Sequence, residues 1–101
     1  MIQLKQQELN EELQLSDKKL IVFSAEWCGP CKILKPNLEK AEEMVEGVKI
    51  IKADVSENED STKDFNVKNI PTCILINEGK EVARFHGVKS PEDIKSFLLG
   101  N

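Results

Sequence analysis

The stretch Leu20-Ile21-Val22-Phe23 is apolar at every position and rich in β-branched residues. A strand that does not alternate polar with apolar residues is buried on both faces, as in a parallel or mixed sheet. The chain must therefore cover this strand from above and below, which rules out a sheet with one wet face. The first cover follows in the sequence: Leu34, Leu38, Ala41 and Val45 recur at spacings of four, three and four, one face of a helix over roughly Cys31 to Glu46. Pro36 lies inside that helix and is expected to kink it. Gly47 can end it, and Val48 to Val55, carrying Lys52, reads as a second buried strand. Strand, helix and strand make a βαβ unit, which points to an α/β fold.

Beyond that unit, Ser56 and Glu59 have the spacing of a capping box, which predicts a short helix from about Glu57 to Phe65. Thr72 to Ile76 and Glu81 to Phe85 read as strands joined by Asn77-Glu78-Gly79-Lys80. The Asn and Gly of that connection suit an antiparallel hairpin, which makes the sheet mixed. Ser90-Pro91-Glu92-Asp93 places an N-cap, a proline at the first helical position and two acids against the helix dipole. Ile94, Phe97 and Leu98 then line one face of a last helix. Near the start, Ile2 to Leu4 reads as an edge strand and Glu8 to Leu13 as a short helix. No repeat or linker interrupts the 101 residues, a length for one domain and too short for two independent cores.

Composition narrows the function before any motif is considered. Fourteen Lys and Arg against eighteen Asp and Glu leave a net charge of −4 and no basic field for a phosphate backbone, so nucleic acid is not an expected partner. The apolar runs fall far short of the ~20 residues of a membrane span, so a membrane is not expected either. The opening Met1-Ile2-Gln3-Leu4-Lys5-Gln6-Gln7-Glu8 lacks the basic start and apolar stretch of a secretory signal, and a cytoplasmic location is expected. Three cysteines are too few, and odd in number, for a structural disulfide framework. They read better as chemistry.

Trp27-Cys28-Gly29-Pro30-Cys31-Lys32 lies at the turn from the central strand into the long helix. Unpaired amide groups and the helix dipole favour a thiolate there, so Cys28 is a candidate nucleophile near neutral pH. Cys31, three residues on, is near enough to form a disulfide with Cys28 and to resolve a mixed one. Gly29 and Pro30 shape the loop between them, and the proline stiffens it. Half of a four-cysteine zinc site has the same spacing, but only Cys73 and His86 remain to complete one, both on expected strands and far apart in sequence. An inert core pair is disfavoured because Gly29-Pro30 makes a poor interior.

Ala25-Glu26-Trp27-Cys28-Gly29-Pro30-Cys31-Lys32, the helix Pro36, Ile70-Pro71-Thr72, Gly79 and Gly87 together resemble the thioredoxin family in order and spacing, over nearly the whole chain. The resemblance implies a thioredoxin fold, a mixed five-stranded sheet sandwiched by about four helices, with residues 1–101 as a single domain. It implies a protein-disulfide oxidoreductase in which Cys28 attacks a client disulfide and Cys31 resolves the mixed disulfide, leaving a redox-active Cys28–Cys31 pair. It also implies that Pro71 is cis and that Ile70, Pro71 and Thr72 form the wall opposite the dithiol, where an extended client segment is recognised through its main chain. No cofactor is expected on this chain, which has no Gly-x-Gly-x-x-Gly fingerprint. NADPH and flavin belong to a thioredoxin reductase-like flavoprotein that restores the dithiol. The expected partners are that reductase and disulfide-containing client proteins, with the chain itself a monomer.

The chain departs from the family pattern beneath the motif. Val22 stands five residues before Trp27, where the family usually has a buried Asp that takes a proton from the second cysteine. Its loss removes a base for Cys31 and a partner for Lys52. Lys52 is read either as a positive charge favouring thiolate or as a strand-end lysine with a solvated head. Ser24 replaces a common aromatic residue and carries no functional reading. Trp27 is expected to be an exposed docking aromatic rather than core, and Cys73 a small buried hydrophobe rather than a third redox group. His86, before Gly87 in a loop that the family places beside the dithiol, is either a pH-sensitive rim group or an exposed histidine with no role. A binding subunit, whose reduced dithiol surface stabilises a partner without turnover, is the alternative to disulfide reduction.

Overall fold

A computed structural model describes residues Met1–Asn101. Its elements run β1 (Ile2–Gln3), α1 (Gln6–Leu13), β2 (Lys19–Ser24), α2 (Gly29–Met44), β3 (Lys49–Asp54), α3 (Glu59–Asp64), β4 (Thr72–Asn77), β5 (Lys80–His86) and α4 (Pro91–Leu99). The sheet order is β1-β3-β2-β4-β5, with β1 and β2 parallel to β3, and with β4 antiparallel to both β2 and β5. The continuously apolar run is thus the central strand. Val22 on it pairs with Lys52 on one side and with Cys73 on the other. The mixed five-stranded sheet with four helices is the architecture that the sequence predicts.

Alternation along β2 divides the core. Leu20 and Val22 point to a cluster completed by Leu34, Leu38 and Ala41 of α2 and by Ile94 and Leu98 of α4. Ile21 and Phe23 point the other way, toward Leu9 of α1 and the Ile51, Ile74 and Ile76 side chains. All six residues of β2 are buried, Lys19 among them. A buried ammonium needs partners in every direction, and Lys19 has them. Its Nζ donates to the carbonyls of Glu12, in the last turn of α1, and of Leu15, just beyond it, and lies 3.0 Å from the Asp17 carboxylate.

Several boundaries move for identifiable reasons. Helix α2 begins at Gly29 rather than Cys31 because Cys28 serves as its cap, and Pro30 occupies the first turn, where a missing N–H costs nothing. The helix contains Pro36 within its span and ends at Met44, ahead of Gly47. The helix expected from Glu57 is shorter, Glu59–Asp64, and its cap residue is Asn58 rather than Ser56. The Ser56 hydroxyl donates to the Asp54 carboxylate instead. Asn58 donates its amide to the carbonyls of Leu4 and Asp54, tying the start of the chain to the end of β3. Helix α1 starts at Gln6, with the Glu8 carboxylate accepting from the Lys5 N–H at 3.0 Å. The hairpin turn contracts to Glu78-Gly79, both at positive φ (54° and 78°), the two-residue turn whose twist matches its strands. No helix is long and apolar enough to cross a membrane.

Candidate active site

At the end of β2 the chain leaves the sheet through Ala25 and enters α2, which holds Cys28 at the N-cap with an extended backbone, φ −92° and ψ 112°. Its Sγ accepts from the Cys31 N–H at 3.2 Å and so satisfies one of the free amides at the helix start. The same amide and the helix dipole would stabilise a negative sulfur. Cys31, in the first turn, is joined to Cys28 by a disulfide with a Cα–Cα distance of 5.3 Å. Both cysteines are buried against Ala25, with Val55 and Ile70 alongside.

The second wall comes from the start of β4. The Ile70-Pro71 peptide is cis, and the Ile70 carbonyl oxygen lies 3.9 Å from Cys28 Sγ. The Gly87 N–H donates to the Pro71 carbonyl at 3.1 Å, an approach made with Gly87 at φ +79°. Ile70, Pro71, Thr72 and Gly87 are thereby brought together beside the dithiol. His86 is the exposed last residue of β5 rather than part of a loop, and its ring partner is Thr72. The Thr72 hydroxyl spends its one proton on the Asn69 carbonyl, which can only accept. Toward His86 Nδ1, 2.9 Å away, it must accept, so Nδ1 carries the proton. Trp27 is 78% exposed, which excludes a core role.

Beside Cys31 is a cavity of about 280 Å³, whose wall includes Val22, Ser24, Lys52 and Pro71. Lys52 is half-buried, lies inside β3 opposite Val22 rather than at the strand end, and lines this cavity. The wall also contains Ser24, which is 3% exposed and whose hydroxyl has no protein partner. A signal for it was present in the sequence: two residues beyond Val22 on the same strand, Ser24 shares its face. Cys73 is fully buried, and burial pushes its thiol pKa up, as befits a small core residue. It contributes to the cluster under α2 and α4, whereas His86 is on the surface, so the cysteine motif gathers no second pair of ligands from them.

A mixed five-stranded sheet that presents a disulfide at the head of the helix following its central strand defines a class of dithiol–disulfide exchange proteins. The thioredoxin family model matches residues 1–99. Thioredoxin H2 of Arabidopsis thaliana is 42% identical over 82 residues, 80% of this chain, although the match takes in only 62% of that protein's length. Thioredoxin of Chlamydia trachomatis is 39% identical over 98 residues, 97% of this chain and 96% of that protein. The oxidised form of mitochondrial thioredoxin 3 from Saccharomyces cerevisiae superposes with a TM-score of 0.88 at 29% identity, covering 100% of this chain and 95% of the other. The chain belongs to the thioredoxin family.

Proposed function

We propose that this chain reduces the disulfides of client proteins by dithiol–disulfide exchange. The observation that carries the reading is the Cys28–Cys31 disulfide at the N-cap of α2, set against the Ile70-Pro71 turn. Starting from the dithiol, the Cys28 thiolate attacks one sulfur of a client disulfide, and the other client sulfur leaves as a thiolate that takes up a proton. Cys31 then gives up its proton and attacks Cys28 Sγ, which closes the disulfide and frees the second client thiolate. Two electrons have passed to the client. A flavoprotein of the thioredoxin reductase type, drawing on NADPH, returns the pair to the dithiol, so flavin and nicotinamide reside on that partner. Lys52 supplies a positive charge on the Cys31 side. Ile70, Pro71 and Thr72 bind an extended client segment, with Trp27, His86 and Gly87 at the rim and Gly29-Pro30 keeping the dithiol loop open to it. The chain works as a monomer in the cytoplasm.

Turnover separates this reading from that of a binding subunit. With insulin as client and dithiothreitol as electron donor, the wild type should accelerate reduction, and Cys28→Ser should fall to the uncatalysed rate. Cys31→Ser should accumulate the insulin mixed disulfide. A wild type that does not accelerate insulin reduction would favour the binding subunit.

A further inference from the structure

Ser24 is almost completely buried in the wall of the cavity beside Cys31, yet its Oγ meets no protein partner. Buried hydroxyls are nearly always paired, with water where protein offers nothing. At about 280 Å³ the cavity is large enough for water, and it has the polar groups that water requires. The charged groups around it come from every side. Lys52 enters from β3, Lys32 and Lys35 from α2, and Glu26 from the connecting loop. Met1 also lines the cavity, and its ammonium is paired with Glu42. Asp54, beside Ser24 in the sheet register, has its Oδ1 held by Ser56. The only carboxylate in the cavity wall is therefore Glu26, which is exposed, while Val22 fills the place opposite Lys52 with a side chain that can accept no proton.

We infer that Ser24 is a positioning residue for the resolving step, holding the water that carries the Cys31 proton through this cavity toward Glu26 and solvent. The inference rests on the disulfide-exchange reading above. In the step itself the Cys31 S–H bond breaks and its proton passes to the water held by Ser24 Oγ. The sulfur electron pair forms the bond to Cys28 Sγ, the bond from Cys28 to the client sulfur breaks, and the client leaves as a thiolate. The Lys52 ammonium, in the same wall, favours the transient Cys31 thiolate.

Reduced protein treated with 5,5′-dithiobis(2-nitrobenzoate) should release two thionitrobenzoates in sequence, the first by attack of Cys28 and the second by resolution through Cys31. Stopped-flow absorbance from pH 6 to 9 separates the phases. Positioned proton transfer is worth ~10²–10⁴-fold, and a hydroxyl that orients the water carries part of it, so Ser24→Ala should slow the second phase about tenfold at pH 6.5. The first phase should stay unchanged, the difference should narrow as pH rises toward 9 and hydroxide can take the proton without the held water, and Ser24→Thr should restore the rate. A second phase equal to wild type in Ser24→Ala, or slowed to the same extent at both ends of the pH range, overturns the inference. Loss of the two-phase release in the wild type, or its survival in Cys31→Ser, would instead overturn the exchange reading.

Discussion

Cys73 lies on β4 opposite Val22 and is fully buried, and burial pushes its thiol pKa up because an apolar interior disfavours the charged sulfur. In the unfolded chain the same thiol ionises near ~8.5. Above that pH the unfolded state sheds a proton that the folded state keeps, so the stability linked to Cys73 is complete below ~8.5 and is lost as pH rises. In the oxidised protein no other thiol titrates. Urea unfolding of the oxidised wild type should therefore lose about 1 kcal/mol more between pH 8.5 and 9.5 than that of Cys73→Ala. Equal losses would mean that Cys73 ionises in place. Cys28 is also buried, but its sulfur accepts an amide hydrogen bond at a helix start, where a thiolate is favoured. In the reduced protein, timed iodoacetamide labelling with peptide mapping should find Cys28 first and Cys73 last.

Elements meet through side chains that local pattern does not explain. Lys19 begins β2, but its ammonium donates to two carbonyls near the end of α1 and contacts Asp17 in the connection between the two elements. Lys19→Met keeps most of the stem and removes the donor, leaving those carbonyls short of a partner. The expected loss is about 3 kcal/mol, in the range for breaking a buried pair on one side. The hydrogen bond from Lys19 is also the main reason that the Asp17 carboxyl is held below its usual range. A depressed acid pKa contributes stability above ~4 that is lost as pH falls. Asp17 is 45% exposed at its side chain, so solvent screens this contribution. Urea midpoints at pH 7 and pH 3 should show a wider gap between wild type and Lys19→Met at pH 7, and a gap unchanged by pH would detach Asp17 from Lys19.

At the scale of the whole molecule, β2 is the shared wall of both apolar clusters, with Leu20 in one and Ile21 in the other. Neither cluster can be lost while the other keeps its sheet. Leu20→Ala and Ile21→Ala remove side chains from opposite faces, and each should cost about 2–5 kcal/mol. Each variant should unfold in one transition that coincides in Trp27 fluorescence and far-ultraviolet circular dichroism. Separate midpoints for the two probes would show that the faces unfold independently. The helices α2 and α4 cover one face and α1 the other, so the dithiol at the head of α2 should be lost in that same transition.

Local pattern alone determined β2, α2, β3, the hairpin and the cysteine pair at a helix start, because hydrophobic period, proline and glycine placement, and helix position act over a few neighbouring residues. The Ser90 cap formed as its spacing predicts, its Oγ accepting from the Asp93 N–H at 3.1 Å. Ser56 had an equally good spacing and did not cap, because Asp54 captured its hydroxyl and Asn58 took the cap position. Tertiary structure decided which residues share the cavity: Ser24 from β2, Lys52 from β3 and Cys31 from α2 meet only once the strands are in register. It also decided that Lys19 is buried and that His86 answers to Thr72, since each depends on a partner presented by another element. Periodicity records which face of an element is apolar; it does not record which polar group arrives there from elsewhere in the chain, and in this protein that is what surrounds the second sulfur.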